Sequence, residues 1–521
     1  MRKWSSSKRF LPASPSSPAE ASDTKGTGIS SCLEDNLRML TQAFDFCSDL
    51  TIHRWHYGPE PEQAAFTVYL HTLTKSVPPD YLKETWQHLM AQELGPMGII
   101  TLEMLKQCFA GSPGVASPHA ELLDDIGQAI DRVLDGKMLL FFNGWQQAVA
   151  YMALEVEHRQ ASEPITEPTV QGPHVSFIEV LESNIGVIRS LLKSPRLKVE
   201  CFEAGAESRR MVSYSYLEGA VKPEIVQAFK QRMSGIGTEE ILEVSYLEEW
   251  VSDNRFSPFP QVRYTERPDT AVAALLDGKI IAMVNGSPSV LICPGVFTEF
   301  FMTSEDFYYR TIYSSLIRLL RLAAFVMAIL LPSTYIALST FHSELIPTVL
   351  LLAILNSREG IPFPAVLEAL IMEFFFELLR EAGIRLPRPI GSAVSIVGAL
   401  VIGQAAIQSQ IASPVMVIVV ALTGIASFAL PQYNMAIAIR ILRFPLMFLA
   451  ATFGGLGIMA GFILIYLHLC TLRSLGQPYL TSLSPFDMQK LRDALIVLPR
   501  RLLARSPRDR HTENAERKKA P

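Results

Sequence analysis

Two regimes of side-chain patterning divide the chain. Up to about residue 305, short apolar runs alternate with polar turns; beyond it the apolar runs lengthen until charges vanish. From Pro389 to Ile439 there is no Asp, Glu, Lys or Arg, and from Phe444 to Leu472 again none. A bilayer crossing needs about 20 apolar residues. Spans are therefore predicted near Leu319–Thr340, Ile390–Gln408, Ser413–Leu430 and Phe444–Cys470. A fifth run, Leu345–Leu355, is shorter. It reads as a re-entrant piece or half of a broken helix, tolerated only where protein or a water-filled cavity covers the backbone.

Between the short run and the uncharged region lies Pro362–Gly383, PFPAVLEALIMEFFFELLREAG. Glu373, Glu377 and Glu381 recur every four residues and so share one helical face. Arg380 lies within pairing reach of Glu377, and Glu368 lies off the stripe. Two readings stay open: an interfacial helix with a solvated acidic edge, or a polar wall lining an ion path. Gly454, Gly457 and Gly461 lie within the last apolar run. In that setting small residues predict close helix packing; a phosphate cradle would need a strand before and a helix after.

The first half is an internal duplication. LDGKMLLFFNGWQQAVAYM from Leu134 parallels LDGKIIAMVNGSPSVLICP from Leu276. In each copy two apolar runs flank an Asn-Gly pair, Asn143-Gly144 and Asn285-Gly286, which predicts a β-hairpin with a type I′ turn and φ > 0 at both residues. Upstream, strands Thr51–Trp55 and Phe66–Thr72 parallel Lys198–Phe202 and Val212–Leu217. Pro78-Pro79-Asp80 and Lys222-Pro223-Glu224 each suit a helix N-terminus. An amphipathic helix containing Asn36 or Asn184 precedes each copy.

The expected fold class is a duplicated α/β cytoplasmic region followed by an all-α polytopic membrane module. Residues 1–30, rich in Ser and Pro, form a disordered leader without the apolar core of a signal peptide. Subdomains at 31–160 and 174–305 flank the linker 161–173, where three prolines fall. The membrane module occupies 306–475, its acidic helix at 362–383, and a basic tail occupies 476–521.

Composition narrows the function. The 521 residues carry a net charge of −5, 19% charged residues and a mean hydropathy of +0.23, an average of two unlike halves. No basic excess points to nucleic acid. Six cysteines at irregular spacing form no CxxC pair, so neither zinc nor a disulfide framework is expected. No G-x-S-x-G, H-E-x-x-H or P-loop occurs, and no enzyme, metal or cofactor is expected. His53 and His56 flank Arg54-Trp55 on a strand and read as structural. Arg310 and Arg318 precede the first span, Arg321 stands at its start and a basic tail follows the last, so the positive-inside rule puts both termini in the cytoplasm with an even number of crossings.

The core from Pro362 to Pro431 resembles the A-subunit family of spore germinant receptors, the GerA type. Phe256-Ser-Pro-Phe-Pro260, Thr265-Glu-Arg-Pro268, Arg440-Ile-Leu-Arg-Phe-Pro445 and Gly476-Gln-Pro-Tyr-Leu480 follow the same pattern in order. The resemblance runs from about Glu34 to Pro485. It implies a pair of related α/β subdomains, a place in the spore inner membrane with both termini in the spore core, and membrane lipid as surroundings. It implies assembly with a transporter-like B subunit and a lipoprotein C subunit. It also implies a homo-oligomeric ion channel that releases cations when nutrient is sensed. No catalytic residue carries over; the matching acidic positions are Glu368, Glu373, Glu377 and Glu381. At the linker the family reads close to R-G-P-R-E-G-F, where this chain has Gln171-Gly-Pro173 and then His174-Val-Ser-Phe177. A paralogue of the stage V sporulation AF type, an accessory A-like subunit, is the alternative, with a non-conducting membrane anchor for signalling beside it.

Overall fold

The computed structural model describes residues 28–57, 60, 62–74, 121–152, 164, 166–168, 170–237, 239–387, 398, 400–481 and 496–497. The expected leader, the helix after Asp80 and most of the basic tail lie outside the described residues. The chain divides into two compact units, residues 1–45 with 49–156, and residues 46–48 with 157–521.

The first unit builds helix α1 (Leu33–Ala43), strands β1 (Leu50–His56), β2 (Ala64–Leu70) and β3 (Glu121–Leu123), helix α2 (Ile126–Leu134), and strands β4 (Lys137–Phe142) and β5 (Ala148–Met152). Its antiparallel sheet runs β1-β2-β4-β5-β3. The second unit opens with α3 (Leu181–Leu191), β6 (Leu197–Ala204), β7 (Arg210–Leu217), α4 (Pro223–Ser234), α5 (Ser245–Val251), β8 (Arg263–Thr265), α6 (Pro268–Leu276), β9 (Ile280–Val284) and β10 (Val290–Cys293). Its order, β6-β7-β9-β10-β8, repeats the first sheet strand for strand.

Local chemistry is copied too. Asn36 accepts from Ser30 N at 2.9 Å and donates to Ser30 O at 2.6 Å; Asn184 does the same with Ile178 at 2.9 and 2.6 Å. A buried amide thus satisfies both backbone groups at each helix entry. Pro223 at the first position of α4 costs no hydrogen bond there.

The hairpin turns differ from expectation. Five residues separate the strands in each copy, 143–147 and 285–289. Gly144 and Gly286 have φ of 80° and 95°, while Asn143 and Asn285 are absent from the positive-φ residues, so these are not type I′ turns. Trp145 N donates to Phe142 O at 3.3 Å and Ser287 N to Val284 O at 3.1 Å. Positive φ at the third turn position alone is the type II pattern, which demands glycine there. The asparagines serve otherwise: Asn143 donates to Glu62 O at 3.1 Å, and Asn285 accepts from Leu181 N at 3.3 Å.

The rest of the second unit is helical: α7 (Thr311–Thr340), α8 (Thr348–Ser357), α9 (Ala365–Arg385), α10 (Pro414–Phe428), α11 (Tyr433–Phe453) and α12 (Gly455–Thr471), with residues 400–408 also helical. Two of them, α7 and α11, are long and apolar enough to cross a membrane. The single span expected over Phe444–Cys470 is two helices. Gly454, at φ 60°, breaks the run, and α12 folds back along α11. A Cβ on Gly457 would stand 2.0 Å from Leu449 O, and one on Gly461 2.5 Å from Leu446 Cδ2. Gly457 and Gly461 therefore sit where α11 and α12 touch, whereas Gly454 makes the turn.

This module has two distinguishable ends. At the sheet-side end, Ser474 Oγ donates to Gln261 O at 2.7 Å and Tyr479 Oη to Pro260 O at 2.8 Å, so the chain leaving α12 returns to the loop before β8. Gln432, at the start of α11, donates to Glu167 of the linker at 3.5 Å. At the distal end, Gly455 N donates to His342 Nε2 at 3.2 Å, joining the turn after α11 to the turn after α7. Aromatic side chains Phe259, Phe297 and Phe300 fill the sheet-side core, and Ala365, Ala369, Met416 and Ala450 the distal one.

The entry to α7 also departs from expectation. The helix starts at Thr311, so Arg318 and Arg321 lie within it. Both bind Asp306, Arg318 Nε at 3.0 Å and Arg321 Nη1 at 2.9 Å, and Asp306 and Arg318 are buried. The single Asp306 carboxylate offsets only one of these two guanidinium charges, so the helix entry stays net positive.

Candidate functional site: paired charges inside the helical module

Helix α9 carries the acidic stripe. Leu, Met, Glu and Arg, all good helix formers, fill it between Pro364 and Pro387. It runs antiparallel to α11. Glu373 Oε2 accepts from Arg443 Nη1 at 2.6 Å; one turn on, Glu377 Oε2 accepts from Arg440 Nη1 at 3.4 Å. Carboxylates four apart on one helix thus meet guanidinium groups three apart on its neighbour.

The stripe is graded. The Glu373 and Arg443 side chains are each 1% exposed, Glu377 is 30% exposed, and Glu381 is 60% exposed. Glu377 also accepts from Arg380 at 3.1 Å, and Arg380 Nη2 reaches Ser427 Oγ at 3.2 Å. The Arg380 guanidinium lies 4.9 Å from the ring centres of both Phe376 and Phe428, a cation–π sandwich. Glu381 pairs with Arg385 at 2.5 Å. Off the stripe, Glu368 is fully buried, pairs with Arg358 at 2.9 Å and accepts from Ser413 N at 3.0 Å. Ser413 caps α10, so the carboxylate sits at a helix N-terminus, where negative charge is favoured.

Arg443 does a second task. Its Nε donates to Ala328 O at 2.9 Å. Ala328 lies four residues before Pro332, inside α7. Proline has no N–H to give that carbonyl, so Arg443 supplies the missing donor. One side chain thereby ties α7, α9 and α11 together. Glu373 Oε1 and Arg443 Nη2 remain buried without a protein partner.

The structure therefore brings Glu373 and Glu377 together with arginines, leaves Glu381 at the open end, and places Glu368 apart. Arg358 was not singled out by sequence reasoning, and Arg440 and Arg443 entered only as members of the Arg440–Pro445 motif, with no role as partners of the stripe. A signal existed: Arg440 and Arg443 are the only charges between Pro389 and Leu472, and charges so placed need partners.

The family comparison decides the identity. The profile described as "Bacillus/Clostridium GerA spore germination protein" matches residues 38–509. The chain belongs to the GerA spore germination protein family. Among relatives, the "Uncharacterized membrane protein YfkQ" of Bacillus subtilis (strain 168) is 39% identical over 94% of this chain and 93% of its own. The "Spore germination protein KA" of the same organism is 45% identical over 70% of this chain and 67% of its own. The N-terminal domain of the A subunit of the Bacillus megaterium spore germinant receptor GerK3 aligns with 52% of this chain and 98% of its own, at 23% identity and a TM-score of 0.39. In this GerA family member, then, duplicated α/β sheets precede an all-helical part with apolar helices, and the chain is membrane-associated.

Proposed function

We propose that this GerA family chain is the A subunit of a spore germinant receptor, and that its helical module contributes an ion path when copies assemble with a transporter-like B subunit and a lipoprotein C subunit. The observation that carries the ion-path reading is the graded stripe on α9, which leads from the buried Glu373–Arg443 pair to the open Glu381. Glu377 and Glu381 are the path-facing carboxylates; Glu373 and Glu368 hold helices in place. The unfilled Glu373 Oε1 and Arg443 Nη2 offer hydrogen-bonding capacity of the kind that internal water fills. In a symmetric oligomer each path-facing carboxylate becomes a ring that attracts cations. Both termini face the spore core from the spore inner membrane.

Cation efflux from proteoliposomes holding the full chain and a B-type partner tests this. Glu377→Gln with Glu381→Gln should slow stimulated efflux while assembly on native electrophoresis stays normal. Unchanged efflux would remove the path assignment. The accessory A-like reading is favoured by one feature: His174-Val175-Ser176 stands where the family's linker carries basic and acidic residues. It predicts efflux only when a complete receptor is also present.

A further inference from the structure

An apolar groove opens between α11, α12 and the loop before β8. Its volume is about 270 Å³, and Phe259, Leu442, Pro445, Leu449, Gly461 and Leu464 line it. Among the described residues, His468 is the only polar side chain lining it, and its Nε2 is already engaged with Ser257 Oγ at 2.8 Å. Hydrocarbon-lined cavities of about 150 Å³ stay dry and take up apolar ligands. This groove is larger and open, since Leu464 on its wall is 63% exposed.

Its direction is defined. Phe259 and His468 mark the sheet-side end, and Leu449 and Gly461 lie two turns deeper, about 10 Å along the helices. The outer faces of α11 and α12 flank it with exposed Ile441, Phe448, Leu456, Met459 and Ile463. That surface suits lipid tails and nothing aqueous. At the shallow end the chemistry changes. Phe256 is 98% exposed, Arg255 lies 5.9 Å from the Trp250 ring in an exposed pair with Glu249 at 3.3 Å that a headgroup can exchange with, and Arg473 is exposed two residues past α12. Aromatic and cationic side chains beside an apolar helix end mark a membrane interface, and cations there attract anionic headgroups.

We infer that this groove binds one acyl chain of an anionic membrane phospholipid. The tail runs from Phe259 toward Gly461, the headgroup sits by Arg255 and Arg473, and Phe256 inserts beside it. Charge and depth complement a single lipid in order: cation and aromatic at the surface, hydrocarbon below. A second copy of the chain on the same face would need no cation at the rim.

The test uses the full chain in nanodiscs containing phosphatidylglycerol with a photoreactive diazirine in one acyl chain. Labelled peptides should map to residues 442–449 and 461–468. Leu464→Trp, which fills the groove, should lower labelling there at least fivefold, with Leu464→Ile as the control for folding. Arg255→Gln with Arg473→Gln should abolish the preference for phosphatidylglycerol over phosphatidylcholine and leave the circular dichroism spectrum unchanged. Labelling that ignores Leu464→Trp would overturn the inference. So would wild-type protein that shows no label in the groove while Leu464→Trp changes its oligomer size, the result expected if a second copy covers it.

Discussion

Replacing Arg443 by methionine removes two things at once. It strips Glu373, buried in the module, of its counter-charge, and it leaves Ala328 O, across in α7, without a donor at the Pro332 break. Breaking a buried pair from one side costs about 3–5 kcal/mol. A carbonyl left unsatisfied costs roughly 1–3 kcal/mol more, although the two share a residue and will not add in full. Arg443→Met should therefore lose a large share of a typical domain's margin of about 5–15 kcal/mol. Removing both charges, Arg443→Met with Glu373→Met, leaves only the carbonyl deficit, because replacing a whole buried pair by apolar side chains is often neutral. The double variant should be more stable than the single by about 2 kcal/mol or more. Adding Pro332→Ala restores an N–H opposite Ala328 O and should recover part of the remainder. Helix loss by far-UV circular dichroism, followed as SDS is titrated into the full chain in mild detergent, reads all four proteins. A double variant no more stable than Arg443→Met would refute the argument that the pair matters through compensation. A Pro332→Ala arm without effect would refute the role assigned to the carbonyl.

Gly144→Val should destabilise its hairpin by about 1–3 kcal/mol, since φ of 80° is strained for a β-branched residue. Asn143→Val should cost clearly less, losing one hydrogen bond to Glu62 O; amide exchange of β4 and β5 ranks the two. Gly457→Leu should split the α11–α12 hairpin at a cost of roughly 1–3 kcal/mol or more from overpacking, read as faster amide exchange along α12. Burial raises the Asp269 carboxyl, but Arg267 and the Tyr308 hydroxyl outweigh it and hold its pKa below the ordinary aspartate value. A depressed pKa contributes stability above the unfolded value that is lost as pH falls through the folded one. Asp269→Asn should accordingly lower stability at neutral pH and flatten its decline below about pH 4, with melting temperature against pH as the check.

The duplication was legible because each copy repeats turn chemistry at fixed offsets, and turns constrain sheets locally. Asn36 and Asn184, flagged only as members of two helices, prove to be matched staples. The turn type was not legible: Asn-Gly suits both type I′ and type II, and the loop length decides between them. Hydropathy could not see the break at Gly454, because an apolar run reads the same whether it continues or reverses. The acidic helix was read as either surface edge or path wall. Its partners lie 63 and 70 residues downstream in Arg440 and Arg443, beyond any local window.

The two ends of the helical module carry an arithmetic of their own. Helix α7 leaves the sheet-side end and finishes beside Gly455 at the other; α11 and α12 go out and come back. A there-and-back pair changes nothing in the count, so the stretch from Phe341 to Gln432 must make an odd number of passes to bring the chain home. Helix α9 is one of them, since Glu368 lies toward the distal turn and Glu377 toward the start of α11. If the module is immersed, a helix with four glutamates goes through the oil, and its arginines are what make that passage possible.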